Sequence, residues 1–171
     1  MNIKLLVADD HEVVREGLAS LLKGSDIQIV DEATNGDEAV EMTFRHHPDV
    51  ILMDIRMPKR DGLSALQKIH KRLPEIPVII LSTHHNPTYV ARSVALGAVD
   101  FILKGSTRKE LVDAVTRAAQ GEDPSDSSVL RRVKRVMRRR HERGDDEIPL
   151  TNRELQVLRH VALGLSNREI G

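Results

Sequence analysis

Short aliphatic runs alternate with amphipathic stretches along the first 121 residues. The aliphatic runs predict five strands covered on both faces, namely Ile3–Ala8, Ile27–Ala33, Val50–Asp54, Val78–Ser82 and 99–103. Apolar residues at helical spacing mark a helix after each strand, and the first helix has an apolar stripe of Val13, Val14, Leu18, Leu21 and Leu22. Five such units with right-handed crossovers predict a doubly wound parallel α/β sheet with helices on both faces.

The pattern changes after the fifth helix, which begins with a capping box at Thr107. A polar break leads into a basic helix at Val129–Glu142, and an acidic break follows it. Two further helix starts, at Thr151 and Ser166, each have a glutamate three positions later. The sequence therefore predicts three regions, which are a first domain at 1–121, a linker with a basic helix at 122–148, and the beginning of a second, helical domain at 149–171.

Charge is distributed unevenly, although the formal net charge is zero. Residues 1–123 hold 15 Lys/Arg and 19 Asp/Glu, a net charge of −4, whereas residues 124–171 hold 11 and 7, a net charge of +4. This asymmetry indicates different roles for the two regions. The absence of cysteine excludes disulfides and thiolate metal sites. Without an apolar run of about 18 residues, the sequence predicts a soluble, cytoplasmic protein that does not associate with membranes.

Polar and charged side chains follow the predicted strands at the ends where parallel sheets bind ligands. Asp9 and Asp10 follow the first strand, Asp54 ends the third, Ser82 ends the fourth and Lys104 follows the fifth. Clustered carboxylates favour a hard divalent cation such as Mg²⁺. Asp54 can then act as a nucleophile toward a phosphoryl group, while Lys104 neutralises the phosphoryl oxygens and Ser82 donates a hydrogen bond to one of them.

Each of these residues has a simpler explanation when it is taken alone. Asp9 and Asp10 could form a solvated turn, and Asp54 could cap the element that follows it. Lys104 could be an ordinary exposed lysine, and Ser82 could satisfy a strand end. Because all five would then have to meet at one sheet edge by coincidence, the sequence favours a phosphoryl-accepting site.

Six segments resemble the receiver domain of bacterial two-component response regulators of the NarL/FixJ subgroup, in the order and spacing of that family. They are LVADDH at 6–11, DIRMP at 54–58, DG at 61–62, ILS at 80–82, GA at 97–98 and FILK at 101–104. The resemblance implies a flavodoxin-like sheet, a non-enzymatic signalling role, and phosphorylation of Asp54 by a sensor histidine kinase. It also implies Mg²⁺ held by Asp9 or Asp10, Asp54 and the backbone carbonyl of Arg56, with Asp10 as the direct ligand and Asp9 acting through water.

The same resemblance implies that Ser82 and Phe101 form a switch pair that responds to the phosphoryl group. The sequence alone favours Phe101 as an ordinary core residue. Many receivers have a proline in a cis peptide after the active-site lysine, whereas Gly105 stands there, as is common in this subgroup. His84 and His85 are adjacent polar residues of a loop, and we do not assign them as metal ligands.

The segments LTNRELQVL at 150–158 and GLSNREI at 164–170 resemble the opening of a LuxR-type helix-turn-helix domain. The DNA-reading helix of such domains is expected beyond Gly171, so we expect sequence-specific DNA binding of the longer protein and not of this chain. The basic helix is predicted to be a linker whose apolar stripe packs on the receiver or on a partner copy in a homodimer. The alternative is non-specific contact of its arginines with DNA phosphates.

The sequence thus predicts a phosphorelay response regulator that couples phosphorylation of Asp54 to control of transcription. A stand-alone receiver that acts through protein contacts is the alternative. A metal-dependent phosphatase of related fold is disfavoured, because Arg56 rather than a general acid occupies the position two residues beyond Asp54.

Overall fold

The computed structural model of the chain describes residues 2–83, 86–142 and 144. Five strands are present in this part of the chain: β1 (Ile3–Ala8), β2 (Ile27–Ala33), β3 (Val50–Asp54), β4 (Val78–Ser82) and β5 (Asp100–Leu103). The helices described are α1 (Glu12–Leu22), α2 (Gly36–His46), α3 (Gly62–Arg72), α4 (Pro87–Ala95), α5 (Arg108–Ala119) and α6 (Val129–Glu142).

The strands form one parallel sheet in the order β2-β1-β3-β4-β5. This is the flavodoxin-like order, and it confirms the predicted fold class. The fifth strand begins at Asp100 instead of Val99, although the Val99 backbone N–H still donates to the Val78 carbonyl at 2.9 Å. The carboxyl ends of β1, β3, β4 and β5 therefore lie along the same edge of the sheet.

Alternate residues along the strands enter two separate apolar layers, as the period of two dictates. Leu6 and Ala8 of β1 join a layer with α2, α3, α4 and α6, whereas Leu5 and Val7 join a layer with α1 and α5. Both layers consist mainly of aliphatic side chains with almost no solvent exposure. The sheet is thus buried on both sides, which explains why its strands read as continuous apolar runs.

The predicted apolar stripe of α1 is wrong at one position. Val13 is 79% exposed, whereas Leu18 and Leu22 are buried and Val14 is partly buried. Successive residues of a helix lie about 100° apart around its axis, so Val13 lies to one side of the face that Val14 shares with Leu18 and Leu22. An apolar residue at the margin of such a stripe therefore does not by itself predict burial.

The pairing of β1 with β2 contains a register shift. Leu5 pairs with Ile29, but Leu6 pairs with Asp31, so Val30 has no counterpart on β1. The extra residue lies in β2, which is an edge strand of the sheet. Such an insertion bends the strand locally and increases its twist.

Helix α6 has the predicted bounds and packs on the domain at 1–121, which is one of the two placements that the sequence predicted for its apolar stripe. It lies against α4 and β5, and its residues Val129, Leu130 and Val133 are buried in the same layer as Phe101. The predicted helix starts at Thr151 and Ser166, with the whole region 149–171, lie outside the described residues.

In the part of the chain that the structure describes, none of the helices is both long and apolar enough to cross a membrane.

Candidate functional site

Two aspartates and a lysine meet at the carboxyl edge of the sheet. Asp9 directly follows β1, Asp54 is the last residue of β3, and Lys104 directly follows β5. The Lys104 Nζ atom lies 2.7 Å from Asp9 Oδ2 and 3.2 Å from Asp54 Oδ2. One ammonium group therefore bridges carboxylates from two neighbouring strands, as the parallel sheet predicts.

Asp9 is held in place by the start of α1. Its side chain has no solvent exposure, and its Oδ1 atom accepts a hydrogen bond from the His11 backbone N–H at 2.8 Å. Its backbone carbonyl accepts a hydrogen bond from the Arg15 guanidinium at 2.8 Å. Apart from the ion pair with Lys104, Asp9 Oδ2 accepts no well-directed hydrogen bond from any described residue. A buried carboxylate oxygen in this state has capacity for a further ligand.

The site opposes ionisation of Asp54. Burial raises the pKa of Asp54 above its ordinary value and the charge of Asp9 raises it further, while Lys104 opposes both effects. For Lys104, burial acts to lower the pKa, but the hydrogen bond to Asp9 and the charges of both carboxylates outweigh it, so the pKa is raised. Lys104 is therefore cationic at neutral pH. Any additional positive charge at the site would further stabilise the ionised carboxylates.

Asp10 and His11 complete a set of oxygen and nitrogen donors. One donor atom from each of Asp9, Asp10, His11 and Asp54 lies within 4.8 Å of the others. The imidazole Nδ1 of His11 lies 3.2 Å from Asp9 Oδ1 and 3.1 Å from Asp10 Oδ1. Three carboxylates at such short separations form an oxygen-rich donor set of the kind that suits a hard divalent cation.

An open cavity of about 290 Å³ lies above Asp54. Its lining residues are His11, Asp54, Ile55, Arg56, Ser82, Thr83, Asn86, Tyr89 and Lys104. Among these lining residues, the Arg56 guanidinium carbon lies 6.0 Å from the centre of the Tyr89 ring. The cavity gives a solute access to a carboxylate that is otherwise nearly buried.

The structure brings most of the predicted site residues together. Ser82 ends β4 beside Asp54 and lines the cavity, and its backbone carbonyl accepts a hydrogen bond from the Lys104 N–H at 2.9 Å. Arg56 also lines the cavity. Phe101 lies instead in the buried layer beneath α4 and α6, 2% exposed. Of the predicted switch pair, Ser82 thus lines the cavity, whereas Phe101 lies in the buried apolar layer.

Two glycines allow the loop after β3 to approach its neighbours closely. A Cβ atom on Gly62 would lie 1.8 Å from the Asp54 carbonyl oxygen, and one on Gly36 would lie 2.3 Å from the Arg60 carbonyl oxygen. The Gly62 N–H donates to the Ile55 carbonyl at 2.7 Å. The backbone of Asp54 is therefore pressed against the first turn of α3, which fixes where its side chain emerges.

Sequence reasoning missed several residues that line or support the site. His11 could have been recognised, because it directly follows the Asp9-Asp10 pair. Asn86 and Tyr89 belong to the start of α4, and no local pattern relates them to Asp54. Their place at the cavity is a consequence of tertiary packing.

Comparisons with known proteins agree with this geometry. The model of the response regulator receiver domain family matches residues 5–116. Response regulator protein VraR of Staphylococcus aureus is 39% identical over 171 residues, which cover 99% of this chain and 80% of VraR.

Solved structures show the same likeness. A DNA-binding response regulator of the LuxR family from Staphylococcus aureus is 30% identical with a TM-score of 0.65, covering 68% of this chain and 98% of that one. A chain of the CheX–CheY–BeF₃⁻–Mg²⁺ complex from Borrelia burgdorferi is 27% identical with a TM-score of 0.64, covering 69% of this chain and 89% of that one.

The family model covers well over half of the chain, the sheet has the order expected of a receiver, and the acidic cluster lies at its carboxyl edge. The chain belongs to the two-component response regulators, and its residues 5–116 are the receiver domain, homologous to response regulator protein VraR and to a DNA-binding response regulator of the LuxR family.

Proposed function

We propose that Asp54 accepts a phosphoryl group from a sensor histidine kinase and that this event controls a DNA-binding output domain. The observation that carries the proposal is that Asp54 and Lys104 line an open cavity, while the same Lys104 ammonium also contacts the buried Asp9 carboxylate. A structural ion pair needs no such access to solvent, whereas a nucleophile does.

The transfer is a displacement at phosphorus. A carboxylate oxygen of Asp54 forms a bond to the phosphorus atom while the bond from phosphorus to the donor's imidazole nitrogen breaks, and that nitrogen keeps the electron pair. The Lys104 ammonium faces Asp54 and can pair with oxygens of the transferred group. Ser82, at the wall of the same cavity, can donate a hydrogen bond to another of these oxygens.

We propose that Asp9, Asp10, Asp54 and the backbone carbonyl of Arg56 hold Mg²⁺. The donor set fits this ion because it is rich in carboxylate oxygens, and because the buried Asp9 Oδ2 has the Lys104 ammonium as its partner among the described residues. Bound Mg²⁺ would offset the repulsion between the carboxylates and the incoming phosphoryl oxygens. The Mg²⁺ complex of the Borrelia burgdorferi homologue is consistent with this choice of metal.

We propose that Ser82 and Phe101 transmit the modification. Movement of the Ser82 side chain toward the phosphoryl group would open space beside β5, and Phe101 would rotate into it and reshape the surface of α4 and β5. In Ser82→Ala, phosphorylation should persist while dimerisation or transcriptional output falls. Unchanged output in that variant would contradict the switch role.

We further propose the division of the chain into a receiver at 1–121, a linker at 122–148 and the first part of a helix-turn-helix domain at 149–171. A DNA-binding role for the output domain is supported by the similarity to the DNA-binding response regulator of the LuxR family, and α6 supplies the linker. A homodimer would bring two output domains together on DNA, as paired half-sites require.

The decisive experiment is incubation of the chain with acetyl phosphate and Mg²⁺, followed by intact-mass measurement. We expect an adduct of about 80 Da on the wild type and none on Asp54→Asn. Asp26→Asn, a change at an exposed aspartate outside the site, is the matched control and should be phosphorylated normally. An adduct of equal yield on Asp54→Asn would refute the assignment.

The role of a regulator rather than a catalyst is tested by turnover. The cavity presents Arg56, not a carboxylic acid, two positions after Asp54. We therefore expect no sustained hydrolysis of aryl phosphates beyond one equivalent per chain. Multiple turnovers that depend on Asp54 would favour the phosphatase alternative.

A further inference from the structure

Arg15 is a largely buried arginine beside the acidic cluster, and the phosphoryl transfer described above does not use it. Its side chain is 15% exposed, and its guanidinium donates a hydrogen bond to the Asp9 backbone carbonyl at 2.8 Å. The Arg15 Nε atom is buried and has no hydrogen-bond acceptor among the described residues. Burial of a charged group is costly unless the group is well paired, so the contacts of this guanidinium decide why it lies there.

An ion pair with Glu32 does not account for the position of Arg15. The Glu32 Oε1 atom lies 3.8 Å from Arg15 Nε, which is too long for a hydrogen bond, and the Glu32 side chain is 45% exposed. Exposed pairs of this kind contribute little to stability. The hydrogen bond to the Asp9 carbonyl is therefore the principal polar contact of the guanidinium.

Helix geometry directs the Arg15 side chain toward the site. Arg15 is the fourth residue of α1, and side chains on an α-helix lean toward the N-terminus of the helix. The guanidinium therefore passes the first turn of α1 and reaches Asp9, six positions earlier in the chain. A cationic group is thus placed against the backbone that joins β1 to α1.

The hydrogen bond from Arg15 fixes the direction of the peptide bond between Asp9 and Asp10. The Asp9 N–H donates to the Ala33 carbonyl of β2 at 3.0 Å, so the backbone is already held on the other side of the Asp9 Cα atom. Because the Asp9 carbonyl and the Asp10 nitrogen belong to one planar peptide, the orientation of that carbonyl also sets where Asp10 begins. Arg15 therefore controls how the Asp10 carboxylate lies relative to the carboxylates of Asp9 and Asp54.

We propose that Arg15 is a positioning residue for the Mg²⁺ site, because its hydrogen bond to the Asp9 carbonyl holds the backbone so that the carboxylates of Asp9, Asp10 and Asp54 converge on one ion. This inference rests on the proposed function, because it concerns the metal that the phosphoryl transfer requires. In this role Arg15 acts through the backbone and supplies no ligand to the ion.

Charge and position predict opposite effects when Arg15 is removed. By Coulomb's law alone, loss of a cation beside three carboxylates favours the binding of another cation, so Mg²⁺ would bind more tightly. Loss of the positioning hydrogen bond instead lets the carboxylates separate under their own repulsion, so Mg²⁺ binds more weakly. Groups that orient metal ligands typically change metal affinity by about ten- to a hundredfold. The direction of the change therefore identifies the role of Arg15.

The test compares four variants of the full chain. Arg15→Met removes the donor and the charge while keeping an unbranched side chain, and Arg15→Lys keeps a cation but loses the planar fork of donors. Glu32→Gln removes the ion-pair partner and leaves the hydrogen bond to Asp9 in place. Arg45→Met is the matched control, because Arg45 pairs with Glu41 near the end of α2 that leads to the start of β3, at the opposite edge of the sheet from the site.

Isothermal titration calorimetry measures the Mg²⁺ dissociation constant of each variant, and urea denaturation confirms that each is folded. We expect the dissociation constant to rise about tenfold in Arg15→Met and by a smaller factor in Arg15→Lys. In Glu32→Gln and Arg45→Met it should stay within about twofold of the wild-type value, because exposed ion pairs contribute little.

The initial rate of adduct formation with acetyl phosphate separates positioning from a direct part in the chemistry. Because Arg15 acts through metal binding, Arg15→Met should react more slowly than the wild type at limiting Mg²⁺ and should approach the wild-type rate once Mg²⁺ saturates the site. A rate that stays low at saturating Mg²⁺ while the dissociation constant is unchanged would overturn the positioning role.

The remaining outcomes distinguish this inference from the proposed function. If Arg15→Met binds Mg²⁺ as tightly as the wild type or more tightly, or if Glu32→Gln shows the same loss, Arg15 does not position the site through Asp9. If Arg15→Met does not fold, Arg15→Lys decides in its place, and a wild-type dissociation constant in that variant overturns the inference. If the wild type itself binds no Mg²⁺, the proposed metal site fails and this inference fails with it.

Discussion

Substitution of Gly62 by alanine tests whether the position of the phosphorylation site depends on close contact between α3 and the end of β3. The added Cβ atom would lie 1.8 Å from the Asp54 carbonyl oxygen and 2.8 Å from the carbonyl carbon. A carbon atom approaches a carbonyl oxygen to about 3.3 Å without repulsion, so the first turn of α3 has to move by about 1.5 Å. Both contacts are with backbone atoms, so no side-chain rotation can relieve them.

The cost can be estimated from two contributions. Overpacking of a tight site costs about 1 to 3 kcal/mol, and a rigid backbone partner favours the upper end of that range. Displacement of α3 also weakens the hydrogen bond from the Gly62 N–H to the Ile55 carbonyl, now 2.7 Å, at a cost of about 1 kcal/mol. We expect Gly62→Ala to lower the free energy of unfolding by about 3 to 4 kcal/mol.

Urea denaturation followed by circular dichroism measures this loss. With a denaturant slope of about 2 kcal/mol per molar, the midpoint should fall by about 1.5 to 2 M. Gly17→Ala is the matched control, because Gly17 lies on α1 and a Cβ atom added there would meet nothing within 4 Å. Alanine favours a helix over glycine by about 0.5 to 1 kcal/mol, so the control midpoint should rise slightly.

The same substitution should affect chemistry. Moving the Asp54 backbone changes the 3.2 Å contact of its side chain with Lys104, so the folded fraction of Gly62→Ala should be phosphorylated more slowly by acetyl phosphate than Gly17→Ala. A Gly62→Ala midpoint within about 0.3 M of the wild type would refute the reasoning, because it would mean that α3 moves away from β3 without measurable strain.

Three further predictions concern the charges and the backbone. Mg²⁺ should raise the midpoint of thermal unfolding of the wild type, by an amount equivalent to about 2.7 kcal/mol at 100 times the Mg²⁺ dissociation constant. In calorimetric measurements with Mg²⁺, Asp54→Asn should lose most of this stabilisation. Burial raises the pKa of Asp100, so the native state keeps a proton that the unfolded state releases, and the free energy of unfolding should fall as pH rises from about 3.9 through the raised pKa. Urea denaturation across this pH range should therefore show that Asp100→Asn becomes increasingly more stable than the wild type. A difference in the free energy of unfolding that does not change with pH would contradict burial of Asp100 as the cause. Lys59 has a φ of 65°, so Lys59→Val should lose at least about 1 kcal/mol in the same assay while Lys59→Gly should not.

The sequence was sufficient to predict the sheet, because its strands are covered on both faces and so appear as uninterrupted aliphatic runs. It was also sufficient to bring Asp9, Asp54 and Lys104 to one edge, since the carboxyl ends of parallel strands must share it. The hydrophobic pattern predicted burial least well at the margin of a helix face, as at Val13, which is apolar but exposed in the structure.

Features that depend on tertiary contact were not predictable in this way. Asp100 is a polar residue within the fifth aliphatic run, yet it begins the strand, is buried and accepts a hydrogen bond from the Ser128 hydroxyl. Tyr89 lies far along the chain from Asp54, yet the fold places both residues in the lining of the same cavity. No local sequence pattern predicts the role of either residue, because each role depends on a contact with an element that is distant in the sequence.

The register shift in β2 has a consequence for how copies of this protein can associate. An incoming strand needs a regular row of free backbone groups, and the extra residue at Val30 interrupts that row at one border of the sheet. The opposite border, β5, has only four residues and lies against α6. Extension of the sheet from one molecule into the next is thus obstructed on both sides, which is how natural sheets avoid aggregation from edge to edge.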